Sequence, residues 1–187
     1  RHLCVSERLK IVLAKAGIEA EVLLDVPDDV PWRVPWGDGV LVYWYDKHPA
    51  FMEEETRRVI AKCPDLKFHI IGAKPTGLPS NCVVHGWVDA EGKTEVFSKC
   101  SVLLDLLHWG GIPWTGVELA RIGRRVVYTY PHPHFRCVST VDEAVAVLRE
   151  CVGMKSDDDA AQYYCGELYT VAGFVRAFER IVMGRQE

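Results

Sequence analysis

The amino-acid sequence predicts a doubly wound α/β domain on a parallel sheet, and two observations carry that reading. Short β-branched and aromatic runs alternate with helix-period segments along most of the chain. Several runs are apolar at both alternate sets of positions, as in VLVYWY from Val40 and RVVYTY from Arg125. A strand that is apolar on both sides is covered on both faces, the situation of a parallel sheet between two helix layers.

In chain order, strand signals fall at residues 21–26, 39–45, 66–71, 82–87, 101–107 and 125–130. Helical spacing fills residues 6–15, 50–62, 89–99, 115–122 and 140–151. Residues 157–183 read as one long helix or a helix pair, opened by Asp157, Asp158 and Asp159, whose charges suit a helix N-terminus. Between Val26 and Gly39 lie three prolines and two tryptophans, Trp32 and Trp36, which exclude a regular helix or a central strand. The chain thus divides into a helix–strand arm with a Pro/Trp-rich hinge linker over 1–38 and a main domain over 39–187. The tryptophans of the linker are expected to cover a core edge.

Composition removes several function classes. The 187 residues are 49% hydrophobic and 26% charged, ordinary values for a globular domain with a real core. With 22 Lys+Arg against 26 Asp+Glu the net charge is −4, so no general positive field exists to hold nucleic acid. No apolar run approaches the roughly 20 residues of a membrane span. The chain opens on Arg1 without a leader-like segment and reads as a piece of a longer protein. The seven cysteines are odd in number and lack metal-knuckle spacing, so they read as reduced, mostly buried thiols of a cytoplasmic protein. A bridge or two stays open if the source is heat-adapted.

In an open α/β sheet, ligands bind beyond the carboxyl ends of the strands. After the strand at 66–71 comes the Gly-bearing turn Gly72–Gly77, with the single cation Lys74. After the strand at 101–107 come His108, Trp109, Gly110 and Gly111, and then a helix opening near Thr115. Paired glycines admit a ligand close to the backbone, and a helix start suits a phosphate. Glu118 reads two ways. With Thr115 it forms a Thr-x-x-Glu capping box, which spacing alone favours; otherwise its carboxylate faces the loop mouth and accepts from a ribose diol. His132, Pro133 and His134 with Cys137 invite a metal reading, but the prolines make a turn-rich loop, and a sugar contact is favoured over a metal.

Three strings in order, FHIIGA from Phe68, NCVVHGWV from Asn81 and the run from Lys93 to Thr129, resemble the C-terminal half of a GT-B glycosyltransferase. The nearest group is glycosyltransferase family four, also called group 1, whose members are retaining enzymes. Gly72, Gly86, the strand at 101–104, Gly111, Glu118, Gly123 and Val126-Val127 fall at matching places and intervals. The segment from Cys4 to Asp29 is similar to the last helix of the family's N-terminal domain and the passage into its hinge. The resemblance therefore spans nearly the whole chain and implies a Rossmann-like donor-binding domain with a C-terminal crossover helix at 157–183.

What the resemblance implies is transfer of a sugar from a UDP- or GDP-sugar to an acceptor sugar or lipid-linked glycan, with no further cofactor and no metal. An N-terminal GT-B domain outside these 187 residues would supply the acceptor side, and any membrane contact would be peripheral through that half. Donor contacts fall on Lys47, Lys74, Gly86, Trp87, Gly110, Gly111, Thr115 and Glu118. The family pattern has two glutamates with seven residues between them; the second matches Glu118, but the first position holds Gly110. His108, two residues earlier, is the nearest group to approach the sugar in its place, so His108 and Gly110 mark the catalytic position. The family's Arg–Lys pair after its first strand is reduced here to Lys47. A sugar-nucleotide epimerase of the same fold, or a non-catalytic binding module, stays open beside the transferase.

Overall fold

The computed structural model describes residues 2–4, 7–23, 34–109, 113–154 and 156–183. Its centre is an all-parallel six-stranded sheet in the order β5-β4-β3-β6-β7-β8. The strands are β3 (Gly39–Trp44), β4 (Phe68–Gly72), β5 (Cys82–Gly86), β6 (Cys100–Asp105), β7 (Arg125–Tyr128) and β8 (Arg136–Cys137). Every residue of β4, β6 and β7 is buried, as is all of β3 except the half-buried Tyr43, so the apolar runs carry both faces of the sheet as expected. β5, at one edge, exposes Val83 and Val84.

Helices α2 (Glu53–Lys62), α3 (Ala90–Phe97), α4 (Trp114–Arg121) and α5 (Val141–Gly153) connect or follow these strands. Right-handed crossovers place α2 on one face and α3 with α4 on the other, and α5, which follows β8, packs against α2. Residues 157–183 form a pair, α6 (Asp159–Leu168) and α7 (Val171–Met183), with the Asp158 side chain capping α6 through the Ala161 amide. Near the N-terminus, β1 (His2–Cys4), α1 (Glu7–Lys15) and β2 (Ala20–Val22) make a separate two-stranded parallel unit. Residues 24–33, with most of the expected Pro/Trp linker and Trp32, lie outside the described residues. No described helix is long and apolar enough to cross a membrane.

The structure moves the start of α2. Residues 50–52, expected in the helix, instead lie along the end of β6: Phe51 bridges Leu107, the Met52 amide donates to Leu106 O, and the His108 amide donates to Ala50 O. This pins the loop after β3 to the loop after β6. Cys63, Cys100, Cys151 and Cys165 are buried, Cys82 is half-buried and Cys137 is exposed, in line with the mostly buried reading; all six carry free thiols.

His69 of β4 and His85 of β5 stack with 16° between their rings and share a 3.0 Å ring-nitrogen hydrogen bond. Burial, and then the neighbouring His85, push His69 down to about 4. The fold therefore holds this ring neutral, while the unfolded chain protonates it below about pH 6.5. Stability present above that pH is lost as the pH falls toward about 4, at up to about 1.4 kcal/mol per pH unit. The urea midpoint of His69→Gln is expected to fall less than the parent's between about pH 6.5 and about pH 4.5. Parallel falls would contradict this origin.

Candidate functional site

β3 and β6 are neighbours, yet the chain leaves β3 toward β4 and β5 and leaves β6 toward β7 and β8. Their carboxyl ends flank the crevice that this strand order opens. Four loops and two helices bring side chains to it.

From β4 the chain turns at Gly72, whose φ is +93° and where a Cβ would stand 2.5 Å from Trp44 O. Only glycine permits both the left-handed turn and this approach. The turn delivers Lys74 to the end of β5, and the Lys74 stem lies over Gly86, where a Cβ would collide with it. Gly86 has φ +75° and is followed by Trp87, which is 77% exposed. The Trp87 ring meets Tyr43 of β3 edge-on, with centroids 6.3 Å apart. Burial raises the Tyr43 phenol, with Lys93 opposing and Asp105 and Glu118 adding to it, so Tyr43 stands within the field of all three.

The expected capping box is replaced. α4 begins one residue earlier than its spacing predicts, with Pro113 in extended geometry at the N-cap and no side-chain cap. An N-cap residue needs non-helical dihedrals, and Thr115 is already inside the helix, buried at 8% exposure. Glu118 turns instead to Lys93 of α3, with Nζ–Oε1 at 2.9 Å and 2% of its side chain exposed. The carboxylate is thus held at the mouth by a cation from the neighbouring helix.

The structure therefore groups Lys74, Gly86, Trp87 and Glu118, with Tyr43 between Trp87 and the Lys93–Glu118 pair. Lys47 sits in the loop after β3, exposed and at φ 51°, and the described contacts join it to none of these. The His108 side chain is exposed, while its backbone is fixed: its amide donates to Ala50 O, and its carbonyl accepts from the Tyr130 hydroxyl. Gly110 and Gly111 lie outside the described residues. His132 stacks on Phe135 with centroids at 3.8 Å, and burial followed by the nearby His134 pushes it down to about 4. Among the described residues no group of three His, Cys, Asp or Glu is placed to hold a metal ion.

Sequence reasoning missed four participants. Lys93, Tyr43 and Tyr45 are ordinary residues whose meeting depends on the sheet order. Asp105 left a signal, an acid inside the apolar run VLLDLL, and it lies 1% exposed at the end of β6. The Tyr45 hydroxyl donates to its Oδ2 at 3.1 Å, and burial pushes the acid up to about 7. A second concavity of about 310 Å³ opens elsewhere, lined among others by Met52, Arg58, Thr129, Thr140 and Asp142. It shares none of the grouped residues.

No family model matches the chain, and no curated protein sequence does. Solved structures do match. HepE from Anabaena, solved with UDP and glucose, aligns at TM-score 0.77 and 11% identity, covering 98% of this chain and 62% of that one. The lipopolysaccharide outer core galactosyltransferase WaaB aligns at 0.76 and 18%, covering 99% of this chain and 62% of that one. A mutant of S. aureus TarM, solved with fondaparinux, alpha-GlcNAc-glycerol and UDP, aligns at 0.71 and 12%, covering 94% and 42%. This chain spans only 42% to 62% of the length of those proteins. At 11–18% identity these likenesses establish the fold: the chain is an α/β, Rossmann-like domain matching GT-B glycosyltransferase structures.

Proposed function

We propose that this chain is the nucleotide-sugar-binding half of a retaining GT-B glycosyltransferase of the family-four kind, acting in the cytoplasm with an acceptor-side domain. The observation that most supports it is the meeting of Lys74, Gly86, Trp87 and Glu118 at the crevice between β3 and β6. The fold is shared with HepE, which has been solved with UDP-glucose. On this reading the base lies against Gly86 and Trp87, partly on backbone groups, and the ribose diol donates to Glu118. The diphosphate lies toward Lys74, Lys47 and the start of α4, with Gly110, Gly111 and Thr115. Its departure develops negative charge, and fixed donors aimed there lower the barrier. His108 and Gly110 flank the sugar, and the acceptor with its base comes from the other domain.

One observation favours a second reading, a binding module without chemistry: position 110 carries no carboxylate. The two readings part in experiment. These 187 residues are expected to bind a nucleoside diphosphate yet transfer no sugar to any acceptor, with slow donor hydrolysis at most, because the walls that exclude water are incomplete. Robust turnover by this chain alone would overturn the proposal. In the full-length protein, sugar transfer would exclude the module. Gly110→Glu then tells what the glycine does: a rate rise means a vacant carboxylate position, and a collapse means the glycine makes room for the sugar or for His108.

A further inference from the structure

Asp105 closes β6 beside the crevice, and the donor contacts named above leave it without a role. Its side chain is 1% exposed; Oδ2 accepts from the Tyr45 hydroxyl at 3.1 Å, and among the described residues Oδ1 has no partner. The titratable groups that face it are Tyr43 and Tyr45 from β3 and, on the neighbouring strand, Tyr128 of β7, its register partner. Beyond Tyr43 stand Lys93 of α3 and Glu118 of α4, bound to each other at 2.9 Å. Among the described residues no cation pairs with Asp105. A buried carboxylate with a bare oxygen and no cation is costly when ionised, and burial pushes this one up to about 7, so its proton is held below neutrality and lost above it.

The hydrogen bond also has a mechanical reach. The Tyr45 ring packs on His48 at 5.3 Å and Phe51 at 5.5 Å, and Phe51 bridges Leu107. Asp105 and Tyr45 thus tie the loop that carries Lys47 to the loop that carries His108. We propose that Asp105 is a positioning residue of the donor mouth: its neutral carboxyl, anchored by Tyr45, joins these two loops, and loss of its proton weakens binding of an anionic nucleotide-diphospho sugar. The proposal rests on the donor-site reading above. Ionised, Asp105 places a negative charge in the low-dielectric wall of a mouth that must accept two phosphate charges. Linkage is reciprocal, so the ligand in turn favours the protonated acid and binds with proton uptake.

The test is calorimetric titration of UDP-glucose and GDP-mannose, whose diphosphate diesters lose no proton near neutrality. It compares the parent, Asp105→Asn and Tyr45→Phe from about pH 6 to about pH 8.5. The parent's affinity is expected to fall about tenfold across that range, with proton uptake visible near about pH 8 as a difference between buffers of high and low ionisation enthalpy. Asp105→Asn, shaped like the neutral acid but unable to ionise, is expected to flatten the profile and abolish the buffer difference. Tyr45→Phe removes a hydrogen bond that favours the ionised acid, so its fall in affinity is expected to move to higher pH. Parallel profiles for parent and Asp105→Asn, or no proton uptake, would overturn this proposal while leaving the donor site standing. Failure of both sugar nucleotides to bind the parent at any pH would overturn the donor site and the proposal together.

Discussion

Replacing Arg124 with methionine is expected to cost about 3–5 kcal/mol of folding stability, and replacing it with lysine nearly as much. Arg124 is 2% exposed, and all its N–H groups are used. Nε donates to Cys100 O, Nη1 to Ile122 O and Asp157 Oδ1, and Nη2 to Val34 O and Pro35 O. Its guanidinium also stacks 3.9 Å over the Trp36 ring, which places this linker tryptophan on the core edge. A buried fork of this kind joins three distant pieces of chain: the linker before β3, the start of β6 and the segment before α6. Lysine keeps the charge but cannot reach five acceptors from one ammonium group. A thermal scan of either variant is expected to show a fall on the order of 10 °C. A change of only a degree or two would mean the network forms without holding the pieces together.

Glu118→Gln is expected to weaken the bound nucleoside diphosphate by about 1–3 kcal/mol, roughly 5- to 150-fold, the usual cost of an unpaired buried hydrogen-bonding partner. Because Glu118 pairs with Lys93 rather than capping α4, its variant must be read beside Lys93→Met. Both substitutions break the ion pair and lower the melting point. Only Glu118→Gln replaces one of the two carboxylate oxygens open to the ribose hydroxyls with an amide donor and removes the charge, so its loss of affinity is expected to exceed that of Lys93→Met. Equal losses, or unchanged affinity with a lower melting point, would reduce Glu118 to a structural partner of α3.

The central strands were legible because their signal is local: β3, β4, β6 and β7 are apolar runs whose burial on both faces follows from composition alone. β1 and β8 were not, since three and two residues make no pattern and are strands only by pairing with β2 and β7. Residues 50–52 fit a helical period but bond to the end of β6, a competition that periodicity does not register. The capping box failed because Pro113, two residues before Thr115, takes the N-cap and puts Thr115 inside the helix. Arg124 was invisible for another reason. In GRRVVY it reads as a surface charge, and its partners at Val34 and Pro35 lie about ninety residues away. Asp105 was readable in principle, because an acid within an apolar strand must be explained wherever it occurs.

The most direct test of the donor site is a map of backbone amide chemical shifts on addition of UDP, with GDP and ADP alongside. The account predicts saturable changes for at least one nucleotide, concentrated at Tyr43–Tyr45, Lys74, Gly86–Trp87, Asp105–Trp109 and Thr115–Glu118. Changes centred instead on the concavity of Met52, Arg58 and Thr140, or no saturable change with any of the three, would contradict it.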